Sequence, residues 1–290
     1  MMSPLPEKLP RWRSVLFVPA QVKRYVDAAH TRGADAVQLD LEDSVPPDGK
    51  EAARAGLGAA IAQIGEHPVD VLVRINRDLR NTVRDLECAV VAGVSAISLP
   101  KVQGADHLRL IDELMTELER ERSLPVGGIR LIAMVETLDA LAGMVDIARA
   151  CPRLAGLTLG SEDLSADGGF EPTPDNLFHP CQRLVFAAKA AGLQAYGFPG
   201  SIAEFGDLDA YRQQVQQGRS MGFEGSYCIH PKQVDILNQV FQPTAEEVAQ
   251  AQRVLAAYEV AMAENRGAAT LDGKMIDLPV VQRARMVLGR

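Results

Sequence analysis

Four cysteines in 290 residues (Cys88, Cys151, Cys181 and Cys228) are too few and too scattered for a disulfide framework, and no C-x-x-C spacing offers a zinc site. Basic residues are not in surplus: 30 Lys and Arg against 38 Asp and Glu give a net charge of −8 at pH 7, with both signs interspersed. That balance argues against nucleic acid or an anionic membrane as a partner. No apolar run approaches the ~18 residues of a membrane span, and Pro4, Pro6 and Pro10 interrupt the stretch where a signal-peptide core would lie. A Gly-rich dinucleotide fingerprint and a Walker loop are both missing. So is a legible Ser-His-Asp set, and Ser161 lacks the surroundings of a nucleophile elbow. The expectation is a cytoplasmic, soluble enzyme. At 47% hydrophobic content the chain has ample material for one large core.

What the sequence does contain is a strict alternation. Short β-like apolar runs occupy Ser14–Val18, Ala36–Leu39, Val69–Val73, Ala96–Leu99, Leu131–Val135, Leu157–Leu159, Leu193–Phe198 and Ser226–Ile229. Helical patterns lie between them at Gln21–Thr31, Lys50–Ile64, Thr82–Val91, Asp106–Arg122, Leu138–Arg149, Leu177–Ala191 and Leu208–Gly218. In the clearest, Leu108, Ile111, Leu114, Met115 and Leu118 recur at helical spacing with charges opposite. Gly33, Gly65, Gly93, Gly192 and Gly222 fall where these helices should stop. Eight strand–helix alternations with short connections predict an α/β fold, a (β/α)₈ barrel (TIM barrel) over residues 1–235, after an irregular lead-in from Met1 to Trp12. A C-terminal helical extension follows over 236–290, a lid or a segment packing on a neighbouring protomer. Its first helix opens with a capping box at Thr244–Glu247, a turn is expected at Asp272-Gly273, and a short helix runs from Val280.

In such a barrel the C-terminal strand ends build the site. Asp40, Glu42, Asp43, Arg74, Asn76, Lys101, Glu136, Asp163 and His230 all stand there. Glu136 and Asp163 end neighbouring strands, so both carboxylates should enter one mouth and hold a magnesium ion that shares its shell with substrate oxygens. Arg74 follows Val71-Leu-Val73, and its planar fork suits a substrate carboxylate, with an ion pair to the Asp40, Glu42 and Asp43 cluster as the structural alternative. Glu42 and Asp43 would position Arg74 or hold metal-bound water. Lys101 either neutralises an anion or pairs with those acids. His230 is expected to close the barrel structurally, and His30, His67, His107 and His179 carry no pattern. In the tail, Asp277 is either the N-cap of the last helix or an acid that a lid brings to the site as general base.

Leu16-Phe-Val-Pro19, Leu39-Asp-Leu-Glu-Asp43, Val73-Arg-Ile-Asn76, Leu99-Pro-Lys101, Met134-Val-Glu136, Gly160-Ser-Glu-Asp-Leu-Ser-Ala-Asp167 and Cys228-Ile-His-Pro231 occur in this order. Together they resemble the citrate lyase β-subunit-like branch of the HpcH/HpaI aldolase superfamily. The tail Asp272-Gly-Lys-Met-Ile-Asp-Leu-Pro279 is similar to the malyl-CoA and citramalyl-CoA lyase members. The resemblance implies a homo-oligomeric TIM barrel, a trimer or a multiple of it, with Mg²⁺ on Glu136 and Asp163. It also implies Arg74 on the oxygens of an oxo-acid. Arg74, Asp40 and Asp277 are expected to be catalytic, and Arg74, Glu136 and Lys101 to bind substrate. Asp277 would act as acid–base in the site of a neighbouring protomer. The implied chemistry is carbon–carbon cleavage of a β-hydroxyacyl-CoA such as malyl-CoA or citramalyl-CoA, or the reverse condensation. Pro19-Ala-Gln21 and Asp27-Ala28 depart from the family's usual Pro-Gly-Asn and Lys-Ala, in a region near CoA in relatives. After the seventh strand, Tyr196-Gly-Phe-Pro-Gly200 stands where an acid is common. The alternatives are a CoA-independent hydroxy-oxo-acid aldolase, a citrate lyase β-type subunit using an acyl-carrier protein, and a non-catalytic oxo-acid-binding protein.

Overall fold

The structure, a computed structural model, describes residues 11–289, so most of the lead-in lies outside the described residues. Eight parallel strands appear where the apolar runs predict them. They are β1 (Ser14–Pro19), β2 (Ala36–Asp40), β3 (Asp70–Arg74), β4 (Val94–Leu99), β5 (Arg130–Val135), β6 (Leu154–Leu159), β7 (Gln194–Tyr196) and β8 (Ser226–Cys228). Neighbours in sequence are neighbours in the sheet, and β8 returns to pair with β1. The ring closes through a bridge between Tyr196 and Gly225, with Glu224 N–H donating to Ala195 O and Gly197 N–H to Gly225 O. This is a (β/α)₈ barrel.

Two apolar layers hold it, because strands buried on both faces send alternate residues to each. The larger layer lies between the sheet and the helices. The inner one fills the barrel with Val15, Ala36, Leu72, Ala96, Ile132, Ala155, Tyr196 and Tyr227 above Trp12. Small and large side chains interlock there. A Cβ on Gly156 would lie 2.7 Å from the Tyr196 ring, so only glycine lets that ring lie flat against β6.

The helices depart from the sequence reading in places. Leu138–Arg149 is broken at Gly143 into Leu138–Ala142 and Met144–Ile147. Ser161–Gly168 and Pro231–Phe241 are helices that the sequence reading leaves unassigned. The second begins with proline in the first turn, where its missing N–H costs nothing. It packs along β1 and β8, and the compact unit accordingly runs to Phe241. Gly65 remains inside its helix, whereas Gly33, Gly93, Gly192 and Gly222 take positive φ as expected of helix stops. No helix among the described residues is long and apolar enough to cross a membrane.

Residues 242–289 form a second unit. Helix Ala245–Ala263 starts at the capping box, Thr244 accepting from Glu247 N–H and Glu247 from Thr244 N–H. A hairpin of Ala269–Leu271 and Lys274–Ile276 follows, turned by Asp272 (φ 51°) and Gly273 (φ 73°), the doubly left-handed turn that antiparallel strands favour. Helix Leu278–Val287 ends the unit, and its core is Ala251, Val254, Ala261, Ala269, Ile276, Val281 and Ala284. The extension is therefore helical with an added hairpin.

Candidate active site

Parallel register places the first pair. Asp40 and Arg74 are the last residues of β2 and β3 and lie directly opposite one another. With inward-pointing side chains, a guanidinium and a carboxylate at that spacing meet as a fork. Arg74 Nε donates to Asp40 Oδ1 at 2.7 Å and Nη2 to Oδ2 at 2.8 Å. Asp40 is 1% exposed. Burial opposes its ionisation, but the Arg74 fork, the N–H groups of Glu42 and Ser44 and the Arg74 charge prevail, holding the carboxyl below its ordinary value. Burial likewise works against the Arg74 charge, and Asp40 and Glu42 more than restore it. The guanidinium carbon also lies over the Phe17 ring, 4.7 Å from its centroid.

From Arg74 the charges alternate. Its Nη1 lies 2.8 Å from Glu42 Oε2, outside hydrogen-bond geometry. Glu42 Oε1 accepts from Lys101 Nζ at 2.7 Å, and that ammonium also meets Asp43 at 3.1 Å and Asp163 at 3.4 Å. Burial raises the Glu42 carboxyl, Arg74 and Lys101 pulling against it. Lys50 secures the loop from behind, donating to the carbonyls of Leu41 and Glu42 at 2.7 and 2.6 Å.

Lys101 takes a left-handed backbone, φ 46°, which costs a non-glycine residue about 1–2 kcal/mol. The bend turns its N–H onto Glu136 Oε2 at 2.6 Å while its side chain reaches back to Glu42. Glu136, at the end of β5, is 2% exposed. Desolvation, with Asp163 and Glu42 nearby, pushes its carboxyl up to about 7 against the Lys101 N–H and Arg74. The room it occupies depends on Gly160, where a Cβ would lie 2.3 Å from Glu136 Oε1. Gly160 precedes helix Ser161–Gly168, whose first turn carries Asp163.

The mouth therefore unites Asp40, Glu42, Asp43, Arg74, Lys101, Glu136 and Asp163 in one network. Three other expected residues have different duties. Asn76 is buried and donates to Leu41 O and to Asp85, tying loops together. His230 stacks on Phe205, ring centroids 5.0 Å apart, and its Nδ1 accepts from Lys232 N–H. Asp277 lies in the second unit and caps helix Leu278–Val287, accepting from Val280 N–H at 3.3 Å. The sequence reading passed over Phe17, Gly160 and the Tyr227–Ser98–Gln38 chain beneath Arg74, in which Ser98 donates to Gln38 and lies 3.2 Å from the Tyr227 hydroxyl. Phe17 was within reach, since the period-two pattern of β1 turns it inward with Val15. A close approach such as that at Gly160 leaves no such trace.

Besides an opening of about 510 Å³ lined by Arg77, Lys101, Glu136, Asp139, Asp163 and Asp167, two cavities reach this mouth. One, of about 560 Å³, runs from Arg74 and Asp40 past Phe17 to Tyr25, Ala28 and Arg32. The other, of about 120 Å³, lies between Glu136, Asp163, Thr158 and the apolar Met134, Phe198 and Ile202.

A closed parallel barrel with acids and a clamped arginine at its C-terminal mouth defines a (β/α)₈-barrel enzyme. The family described as HpcH/HpaI aldolase/citrate lyase matches residues 13–231, and the chain belongs to it, as an enzyme of the lyase type. It is 35% identical to the citrate lyase subunit beta of Escherichia coli (strain K12), over 96% of this chain and 92% of that one. It is 32% identical to the L-malyl-CoA/beta-methylmalyl-CoA lyase of Cereibacter sphaeroides, over 99% and 96%. Among solved structures, the protein CitE of Mycobacterium tuberculosis in complex with magnesium, acetoacetate and coenzyme A superposes with a TM-score of 0.73, at 29% identity and 97% coverage of both chains. These relatives support lyase- or aldolase-type activity on CoA esters.

Proposed function

We propose that the chain is a divalent-cation-dependent lyase that breaks a carbon–carbon bond in a β-hydroxyacyl-CoA of the malyl or citramalyl type, or runs the reverse condensation. The observation that carries this reading is Glu136. A carboxylate 2% exposed beside Asp163 and Glu42, and raised to about 7 by that setting, marks a place short of positive charge. Lys101 Nζ already leans on Asp163 from one side. Glu136 and Asp163 offer hard oxygens, and Gly160, having no Cβ, lets the Glu136 carboxylate lie where it does, so the residues fit a cation such as Mg²⁺. Bound there, the ion would supply Lewis-acid polarisation of the oxo or hydroxyl oxygen.

The chain's own groups supply the rest of the reading. Arg74, immobilised by Asp40 and Phe17, has N–H groups left to hold the oxo-acid carboxylate. In cleavage the hydroxyl proton leaves to a carboxylate of the mouth and the hydroxyl carbon becomes the oxo carbon. The carbon–carbon bond breaks with its electron pair passing to the α-carbon of the thioester, which then takes up a proton. No net oxidation occurs. The cavity of about 560 Å³ beside Arg74 is larger than an oxo-acid needs and lies next to Arg32, which favours a thioester arm over a CoA-independent aldolase.

The test is a coupled assay with malyl-CoA and citramalyl-CoA, with and without EDTA, and with Glu136→Ala. Turnover of either thioester, abolished by EDTA and by the substitution, is the expected result. Turnover unaffected by EDTA would refute the role of the cation. The implied homo-oligomer is checked by light scattering; Phe178 and Phe186, 45% and 65% exposed on one helix, favour it.

A further inference from the structure

We infer that Tyr227 is a positioning residue for Arg74: through the Phe17 ring and a buried hydrogen-bonded brace, it sets from inside the barrel where the guanidinium stands at the mouth. This rests on the proposed role of Arg74 and says what holds that residue in its working place.

Asp40 holds Arg74 along one edge only, through Nε and Nη2. Two parallel bonds to one carboxylate stop the guanidinium from sliding in its plane but leave it free to rock about that edge. Phe17 limits the rocking, its ring centroid 4.7 Å from the guanidinium carbon. That ring needs support of its own. Phe17 is only half-buried and borders both the larger and the smaller cavity, so open space flanks it.

Tyr227 supplies the support. In the parallel register it stands opposite Val15, one inward step below Phe17, and the two rings meet at 5.3 Å with a tilt of 42°. Below it, Tyr196 abuts the Tyr227 ring edge-on at 6.2 Å, and Trp12 stacks on Tyr196 at 6.1 Å. A column of four aromatic rings thus runs up the barrel interior. Trp12 Nε1 donates to Asp70 at 2.6 Å, so the column starts at the first residue of β3 and ends against its last, Arg74.

The Tyr227 hydroxyl ties this column sideways. Burial pushes it well above its ordinary value, so it keeps its proton as a donor. Ser98 gives its own proton to Gln38 Oε1, which leaves the Ser98 oxygen, 3.2 Å away, to accept from Tyr227. Ser98 lies opposite Arg74 in the register of β3 and β4, and Gln38 stands two residues before Asp40 on β2. One phenol therefore braces β8 against both strands that flank β3, including the strand whose carboxylate grips Arg74. All three side chains belong to residues at most 3% exposed, so water does not compete for these bonds. The one proton of Tyr227 is committed to Ser98, which makes the role positioning and not acid–base chemistry.

The experiment compares Tyr227→Phe and Tyr227→Leu with the full-length wild-type chain, each alone and combined with Arg74→Lys. The first readout needs no substrate. It is the NMR exchange rate of Arg74 Hε, the proton given to Asp40, with its resonance assigned by its disappearance in Arg74→Lys. Exchange should quicken at least about tenfold in Tyr227→Leu, whereas Tyr227→Phe, which keeps the ring, should stay within about threefold. The second readout is kcat/KM with malyl-CoA or citramalyl-CoA, falling about 10–100-fold in Tyr227→Leu and about 2–10-fold in Tyr227→Phe. In the Arg74→Lys background either change should cost less than about twofold more, because the residue it acts through is gone. Losses that multiply in full in that background, or Hε exchange unmoved by Tyr227→Leu, would overturn the inference. If the wild-type chain turns over neither thioester, the proposed function fails, and Hε exchange still decides the positioning. If Tyr227→Leu does not fold, the Tyr227→Phe cycle decides it.

Discussion

Replacing Gly160 with alanine isolates the space on which Glu136 depends. The backbone there, φ −88° and ψ 95°, is open to any residue, so the substitution introduces no torsional strain. The new Cβ would lie 2.3 Å from Oε1, 2.5 Å from Cγ and 2.8 Å from Cδ of Glu136, where ordinary contact begins near 3.4 Å. Glu136 would have to retreat by roughly 1 Å and give up the Lys101 N–H at 2.6 Å. Overpacking of this kind costs about 1–3 kcal/mol, and the stiffer unfolded chain returns about 0.4–1 kcal/mol. The net loss is about 1–2 kcal/mol, a fall of roughly 2–8 °C in Tm for a chain of this size. The functional effect should be much larger. A displacement of ~1 Å at a reacting centre costs about 100-fold in rate, and disturbance of a ligand's setting costs about 10–100-fold in metal affinity. Magnesium affinity by calorimetry and kcat/KM in the coupled assay are the measurements. Gly156→Ala is the control, because its Cβ would meet Tyr196 at 2.7 Å inside the barrel and should lower Tm without reaching the mouth. If Gly160→Ala keeps wild-type magnesium affinity and turnover within about threefold, the assignment of Glu136 as a ligand is wrong.

Arg74→Met should destabilise by about 3–5 kcal/mol, since it strands Asp40 as a buried charge; urea denaturation measures this. Arg74→Lys keeps the charge but not the fork, so most of the stability should survive while kcat/KM falls about 100-fold; equal losses in both variants would argue that the fork is irrelevant. Burial opposes ionisation of Asp40 and Arg74 overrides it, so its folded value lies below its unfolded one of about 3.9. The stability it contributes is therefore complete above pH ~4 and drains away as pH falls through the folded value. Asp40→Asn should flatten that acid limb in denaturation measured between pH 5 and 2, and an unchanged slope would contradict the linkage. For Asp277, Ala should cost about 1 kcal/mol in the second unit through the lost cap, whereas Asn, an equal cap, should cost only a few tenths. Amide exchange over residues 278–287 reads this, and loss of turnover in the Asn variant would then report on chemistry rather than capping.

Much of the barrel was legible because its strands are buried on both faces and write themselves as apolar runs, with polar residues confined to one end. Hence the places of Asp40, Arg74, Glu136 and Asp163 could be read before their contacts were known. The contacts themselves could not. That Lys101 would bend into a left-handed turn and serve Glu136 with its backbone and Glu42 with its side chain is a matter of three dimensions. Asn76 looked like a site residue only because Asp85, its partner, sits on the following helix. The helix Ser161–Gly168 escaped notice because eight residues are too few to establish a period, and its acids suggested a loop.

The way the barrel closes bears on how the mouth behaves. From β1 to β6 the strands run five or six residues and pair along most of their length, whereas β7 and β8 have three each and meet through a single bridge. The ring is thinnest at that seam. The arc from β2 to β5, which bears Asp40, Arg74 and Glu136, lies away from it. Phe198 and Ile202 come from the chain immediately after β7, beside it. The greasy side of the pocket thus stands on the least densely paired part of the ring, and Asp40, Arg74 and Glu136 on the most densely paired part. Bulk on the substrate becomes negotiable in evolution, and the placement of its oxygens does not.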